Sequence, residues 1–197
     1  MSQTAGLADG ATDAFSAVAY WLKQWPGAEV LVIGGSGQSI GIFAVQAALS
    51  RGARRVVYLD DHPQRLAKAR SLGAEVHEAP KGLAMEPIGL FPIVVDAAAT
   101  DASILLAFRS AEPNGICQRM YGDFAETTPV PLRHMYGVGI TLRVGRVNVR
   151  AEMPLYRPRR RRAFPSRACH HPAGSLRGRA RGDRRSDHPG RLCSRWN

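Results

Sequence analysis

Val30-Leu31-Val32-Ile33-Gly34-Gly35-Ser36-Gly37-Gln38-Ser39-Ile40-Gly41 is the stretch on which the reading of this chain turns. Its opening run is apolar and β-rich without alternation, as expected of a strand covered by helices on both faces. Glycines end the run at Gly34 and Gly35, and the loop continues to Gly41. From Ser39 to Arg51, Ile42, Phe43, Ala44, Val45, Ala47, Ala48 and Leu49 recur with helical spacing, which predicts a helix beginning near Ser39. A second apolar run, Arg55 to Leu59, then delivers Asp60 and Asp61 to its carboxyl end, the edge of an open α/β sheet where ligands bind.

A strand, a glycine turn, a helix and a strand ending in acid form a βαβ unit suited to a dinucleotide. Pyrophosphate must approach main-chain N–H groups that Cβ atoms would obstruct, and a helix N-terminus adds unpaired donors and a favourable dipole. Gly35, Ser36, Gly37, Gln38, Ser39 and Ile40 are the candidate cradle. Asp60 lies 19 residues beyond Gly41, about the separation at which an acid meets the adenosine ribose hydroxyls and repels a 2′-phosphate. That spacing favours NAD over NADP. Arg65 either offsets the preference or flanks the adenosine. The strict G-x-G-x-x-G pattern is absent, because one extra residue separates Gly37 from Gly41. An ordinary strand-to-helix turn would explain the glycines alone; the flanking strands and the placed acid favour a nucleotide site.

Together with Tyr58-Leu59-Asp60 and Arg65-Leu66-Ala67-Lys68-Ala69-Arg70-Ser71-Leu72-Gly73-Ala74, this stretch resembles the medium-chain, zinc-type alcohol dehydrogenases, from about Asp9 to Met153. The Ser39-Ile40-Gly41 element resembles a branch with a longer phosphate loop. The resemblance extends to a fourth strand, Ile93 to Ala98, a fifth from Gly115 to Tyr121 closing at Gly122, and a return toward a catalytic domain from Gly139 to Arg150. It implies that Ala97, Ala98, Tyr121 and Gly122 lie near the nicotinamide half. It also implies hydride transfer between an alcohol carbon and nicotinamide, with zinc polarising the oxygen. Asp13, in a leading helix from Asp9 to Trp25 with Phe15, Val18, Ala19, Leu22 and Trp25 at helical spacing, falls near the place of a family threonine beside the nicotinamide. The plainer account of that helix is amphipathic packing.

The family's catalytic domain mostly precedes its nucleotide-binding domain, and no Cys or His precedes Gly34 here. The expectation is therefore of a truncated, inactive cofactor half without zinc ligands, whose intact relatives act on small alcohols or aldehydes. His62 before Pro63, His77 at the end of the third strand and His134 on a surface-like stretch receive structural readings, with a role beside the adenosine left open for His62.

Charge divides the chain. Of 27 Lys and Arg and 16 Asp and Glu, residues 1–154 carry 14 of each sign, and residues 155–197 carry 13 Arg against 2 Asp, so the whole +11 lies in the tail. That tail has no Lys, Val, Ile, Met or Glu and cannot build a core. Its composition reads best as out-of-frame translation of a GC-rich gene. A nucleic-acid-binding arm and a metal site from Cys169, His170, His171, His188 and Cys193 are the alternatives.

Short-chain dehydrogenase chemistry is excluded, because none of Lys23, Lys68 and Lys81 follows a tyrosine at the required spacing. An S-adenosylmethionine-dependent methyltransferase and a non-catalytic nucleotide-binding module remain the rivals. Neither a signal peptide nor a membrane span is visible, and three cysteines do not make a disulfide framework, so a cytoplasmic protein is expected. The expected architecture is a leading helix (1–26), a Rossmann-type doubly wound, mostly parallel α/β sheet of about six strands (27–144), the start of a return segment (145–154) and a disordered basic tail (155–197). The expected partners are a dinucleotide and, in intact relatives, a small alcohol or aldehyde. Homo-oligomers and sequence-blind nucleic-acid binding by the tail are left open.

Overall fold

The computed structural model describes residues 10–35, 39–120 and 127–145. In it, β1 (Val30–Ile33) is buried along its whole length between β2 (Val56–Asp60) and β4 (Phe91–Asp96). β3 (Glu75–Glu78) lies outside β2, while β5 (Ala111–Arg119) and β6 (Thr141–Val144) extend the sheet beyond β4. The order is β3-β2-β1-β4-β5-β6, and every neighbouring pair is parallel. This is the doubly wound arrangement anticipated from the βαβ pattern, with its reversal of strand order between β1 and β4.

The unbroken apolar run of β1 is explained by two cores. Val30 and Val32 face α1 (Gly10–Gln24), α2 (Ser39–Ser50) and α3 (Pro63–Leu72). Leu31 and Ile33 face α4 (Asp101–Arg109) and the short turn Lys81–Leu83, in a cluster that also gathers Phe91, Phe108 and Ile140. Each such buried branched side chain contributes about 1.5–3 kcal/mol relative to exposure. α5 (Leu132–Val138) has no fully buried residue and packs against the second cluster through the half-buried Met135 and Val138.

The leading helix forms where its spacing predicted, but it buries far more than a stripe. Ala11, Thr12, Ala14, Phe15, Ser16, Ala17, Val18, Ala19 and Leu22 are all buried, because the small residues let α1 lie closely on α2. Trp25, assigned to the apolar face, lies beyond the helix end and is partly exposed. β5 also differs from the expected Gly115–Tyr121. It starts at Ala111, and between Phe91↔Ala111 and Ile93↔Ile116 it carries extra residues that bulge, with Asn114 at φ 61°. The strand ends at Arg119; Tyr121 and Gly122 lie outside the described residues, as do residues 146–197 and every reading attached to that tail.

Candidate dinucleotide-binding site

The carboxyl ends of β1, β2, β4 and β5 meet at one edge of the sheet. β1 hands over to Gly34, whose N–H donates to the Leu59 carbonyl at 2.7 Å, and the Ala97 N–H donates to the Ile33 carbonyl at 2.9 Å. The glycine turn is thus held between the ends of β2 and β4. Ser36, Gly37 and Gln38 lie outside the described residues, and α2 begins directly after them at Ser39 and Ile40.

Both glycines that end β1 are required by close approach. A Cβ on Gly35 would stand 2.7 Å from the Ala98 Cβ and 2.9 Å from its Cα, so the turn can lie against the β4 loop only without a side chain. A Cβ on Gly34 would overlap the Tyr58 hydroxyl and Asp60 Oδ2, while one on Gly41 would meet the Tyr58 ring at 3.2 Å. Tyr58 therefore fills the space beneath the turn from β2. Sequence reading quoted this residue only within the family resemblance. The available signal was its position two before Asp60, which in a strand places both side chains on one face.

Asp60 is completely buried and fully engaged. Arg65 Nε donates to Oδ2 and Arg65 Nη2 to Oδ1, each at 2.7 Å; the Tyr58 hydroxyl donates to Oδ2 at 2.5 Å and the His62 N–H to Oδ1 at 2.9 Å. Burial by itself would raise the carboxyl, but hydrogen bonds from Arg65, Tyr58 and the His62 amide together with the Arg65 charge hold it below its ordinary value. Burial and then the adjacent carboxylate push the Tyr58 phenol up, and hydrogen bonding to Asp60 raises Arg65. The structure thus joins Asp60 and Arg65 directly, a contact the sequence left open. Their relation is a bidentate ion pair.

At the other side of the turn, Ala97 and Ala98 are buried at the end of β4, next to Gly35. Asp96 and Arg119, opposite each other in the β4–β5 register, form a second buried pair at 2.9 Å. Burial pushes the Asp96 carboxyl up, against hydrogen bonding from Ser103, the Arg119 charge and the Ala99 and Ala98 amides. Sequence reading missed Arg119; its signal was a charge beside Gln118 at the end of the stretch Gly115–Arg119, which is buried throughout.

Asp13 sits half-buried in the first turn of α1, whose Gly10 abuts Ile40 at the start of α2. His62 is exposed ahead of α3 and contributes its backbone to Asp60. His77 pairs with Glu75 at 2.8 Å, and His134 lies 3.2 Å from the Phe108 carbonyl, half-buried instead of on the surface. Among the described residues no group of three or more His, Cys, Asp or Glu is placed to hold a metal, and no helix is long and apolar enough to cross a membrane.

No protein-family model and no curated protein sequence matches the chain. Solved structures do. An alcohol dehydrogenase from Thermus sp. ATN1 is 26% identical with a TM-score of 0.69, over 84% of this chain and 49% of its own. A protein named as a short chain alcohol dehydrogenase from Escherichia coli CFT073, complexed with NADH, is 20% identical with a TM-score of 0.63, over 79% of this chain and 47% of its own. A zinc-binding dehydrogenase from Sinorhizobium meliloti, bound to NADP, is 18% identical with a TM-score of 0.60, over 75% and 46%. The chain spans about half the length of these structures. The described residues share the fold of part of the Thermus enzyme.

Proposed function

We propose that the chain is the cofactor-binding part of a zinc-type alcohol dehydrogenase, holding NAD in preference to NADP. The observation that carries this reading is the side-chain-free turn Gly34–Gly35, pressed between Ala98 on one side and the Tyr58–Asp60 pair on the other at the point where strand order reverses.

The residues present fit a dinucleotide. The turn and the start of α2 offer main-chain donors to the pyrophosphate. The Asp60–Arg65 pair borders the adenosine ribose, Asp60 acting through its charge because its oxygens are already engaged, and the Ala97–Ala98 turn borders the other nucleotide. Bound there, the nicotinamide supplies a hydride acceptor or donor. The chain's part is to bind and orient it and to exclude water from one face. The described residues offer no ligand set for zinc, so no step through that metal falls to them.

The ion pair tempers the cofactor preference. Arg65 neutralises the charge by which Asp60 would repel a 2′-phosphate, so NAD is favoured by no more than about tenfold, or about 1.4 kcal/mol. Titrating NADH and NADPH, followed by nicotinamide fluorescence, tests this. NADH should bind more tightly to the parent chain, and Asp60→Ala, which frees Arg65 for a 2′-phosphate, should lose or reverse that preference. Tighter binding of NADPH to the parent would overturn the assignment of Asp60.

A further inference from the structure

The buried Asp96–Arg119 pair has a place in this site that its chemistry explains. Arg119 Nη1 donates to Asp96 Oδ2 at 2.9 Å and to the Thr100 carbonyl at 3.3 Å. Asp96 Oδ1 accepts from the Ala98 and Ala99 amides at 3.2 and 3.3 Å. Thr100 in turn caps α4, its side chain accepting from the Ser103 N–H at 3.0 Å while its own N–H donates to Ser103 Oγ at 2.9 Å. One guanidinium therefore grips both ends of the turn 97–100. Within that turn Ala99 is held at φ 59°, a conformation costly for a residue with a Cβ. The strain persists because the turn is fastened on both sides.

The turn carries Ala98 against Gly35. Asp60 places the adenosine toward β2, so the remainder of a dinucleotide crosses the β1–β4 reversal and reaches the ends of β4 and β5. Burying an ion pair is not an economical source of stability, since an apolar pair of similar volume often serves as well. Its location on this wall points to a geometric role.

We propose that Arg119 is a positioning residue for the nicotinamide end of the cofactor, acting through Asp96 and the Thr100 carbonyl to fix the 97–100 turn that closes on Gly35. The inference rests on the dinucleotide reading above. An adenine nucleotide without nicotinamide separates the two, because it draws its affinity from the Asp60 side and the Gly34–Gly35 turn and has no nicotinamide to rest on residues 97–100.

The experiment measures NADH and ADP affinities by calorimetry for the full chain and for Arg119→Met, Arg119→Lys and the neutral double variant Asp96→Asn with Arg119→Met, with thermal melting to confirm folding. NADH should weaken by about tenfold or more in Arg119→Met and in the double variant, ADP should hold within about twofold, and Arg119→Lys should recover part of the loss. Equal weakening of NADH and ADP, unchanged NADH binding in a folded variant, or failure of all three variants to fold would each overturn the proposal. A parent chain that binds ADP and NADH keeps the dinucleotide reading even then; a parent that binds neither removes both.

Discussion

The Tyr58 hydroxyl donates to Asp60 Oδ2 at 2.5 Å, joining two residues of one β2 face directly beneath the glycine turn. The phenol cannot ionise readily in this position, because burial and the neighbouring carboxylate both disfavour a phenolate. It serves as a donor that also fixes the floor on which Gly34 and Gly41 rest. Asp60 and the glycine turn are consequently one packed unit.

Gly34→Ala should destabilise the domain by about 1–3 kcal/mol, as a methyl group forced into a filled space does. Because the overlap is with the Tyr58 hydroxyl and Asp60, Tyr58→Phe should relieve part of that cost. Urea unfolding of the two single variants and the double variant would show a coupling term; strict additivity would place the strain elsewhere.

Arg65→Ala should sharpen cofactor discrimination. With its bidentate partner removed, the Asp60 carboxylate regains an uncompensated charge toward a 2′-phosphate. The NADH-to-NADPH affinity ratio should rise in this variant and fall to one or below in Asp60→Ala. A ratio that drops in Arg65→Ala would mean that the guanidinium serves NADH directly.

Acid should weaken the domain through Asp60. Its folded carboxyl lies below its ordinary value, so the stability it contributes is complete above the unfolded value of about 3.9 and is lost as pH falls through the lower folded value. Asp60→Asn should therefore be less stable than the parent at neutral pH and approach it below about pH 4. Melting curves that stay equally far apart throughout that window would contradict the linkage.

Zinc-loaded chain supplied with NAD and a panel of primary and secondary alcohols should remain at background, since the described residues supply no metal ligands. Zinc-dependent turnover would show that ligands come from outside those residues, and Cys169, His170, His171, His188 and Cys193 would be the first to replace.

The arginine-rich residues 155–197 should attract duplex DNA without sequence preference, with log affinity falling by about 0.9 per phosphate neutralised for each unit of log salt. Gel-shift titrations of the full chain against one lacking residues 155–197 check this. Selective binding that survives moderate salt would establish a dedicated nucleic-acid module.

The order of elements was legible from residues 29–60, because a strand buried on both faces leaves an unbroken apolar run and a phosphate turn needs glycine. The reversal of strand order followed from the same unit, and Asp60 was placed at the sheet edge by counting. Local sequence carries these features because each depends on the spacing of neighbours. What Asp60 touches was decided elsewhere. Arg65 comes from the next helix and Tyr58 from beneath the turn, and only their packing converts an exposed acid into a buried, saturated one. The Asp96–Arg119 clamp is further from view, since its partners are 23 residues apart and meet only through the parallel register of β4 and β5. Spacing along the chain thus settled which strands and turns exist; burial and register, which join distant residues, settled which charges confront one another at the site.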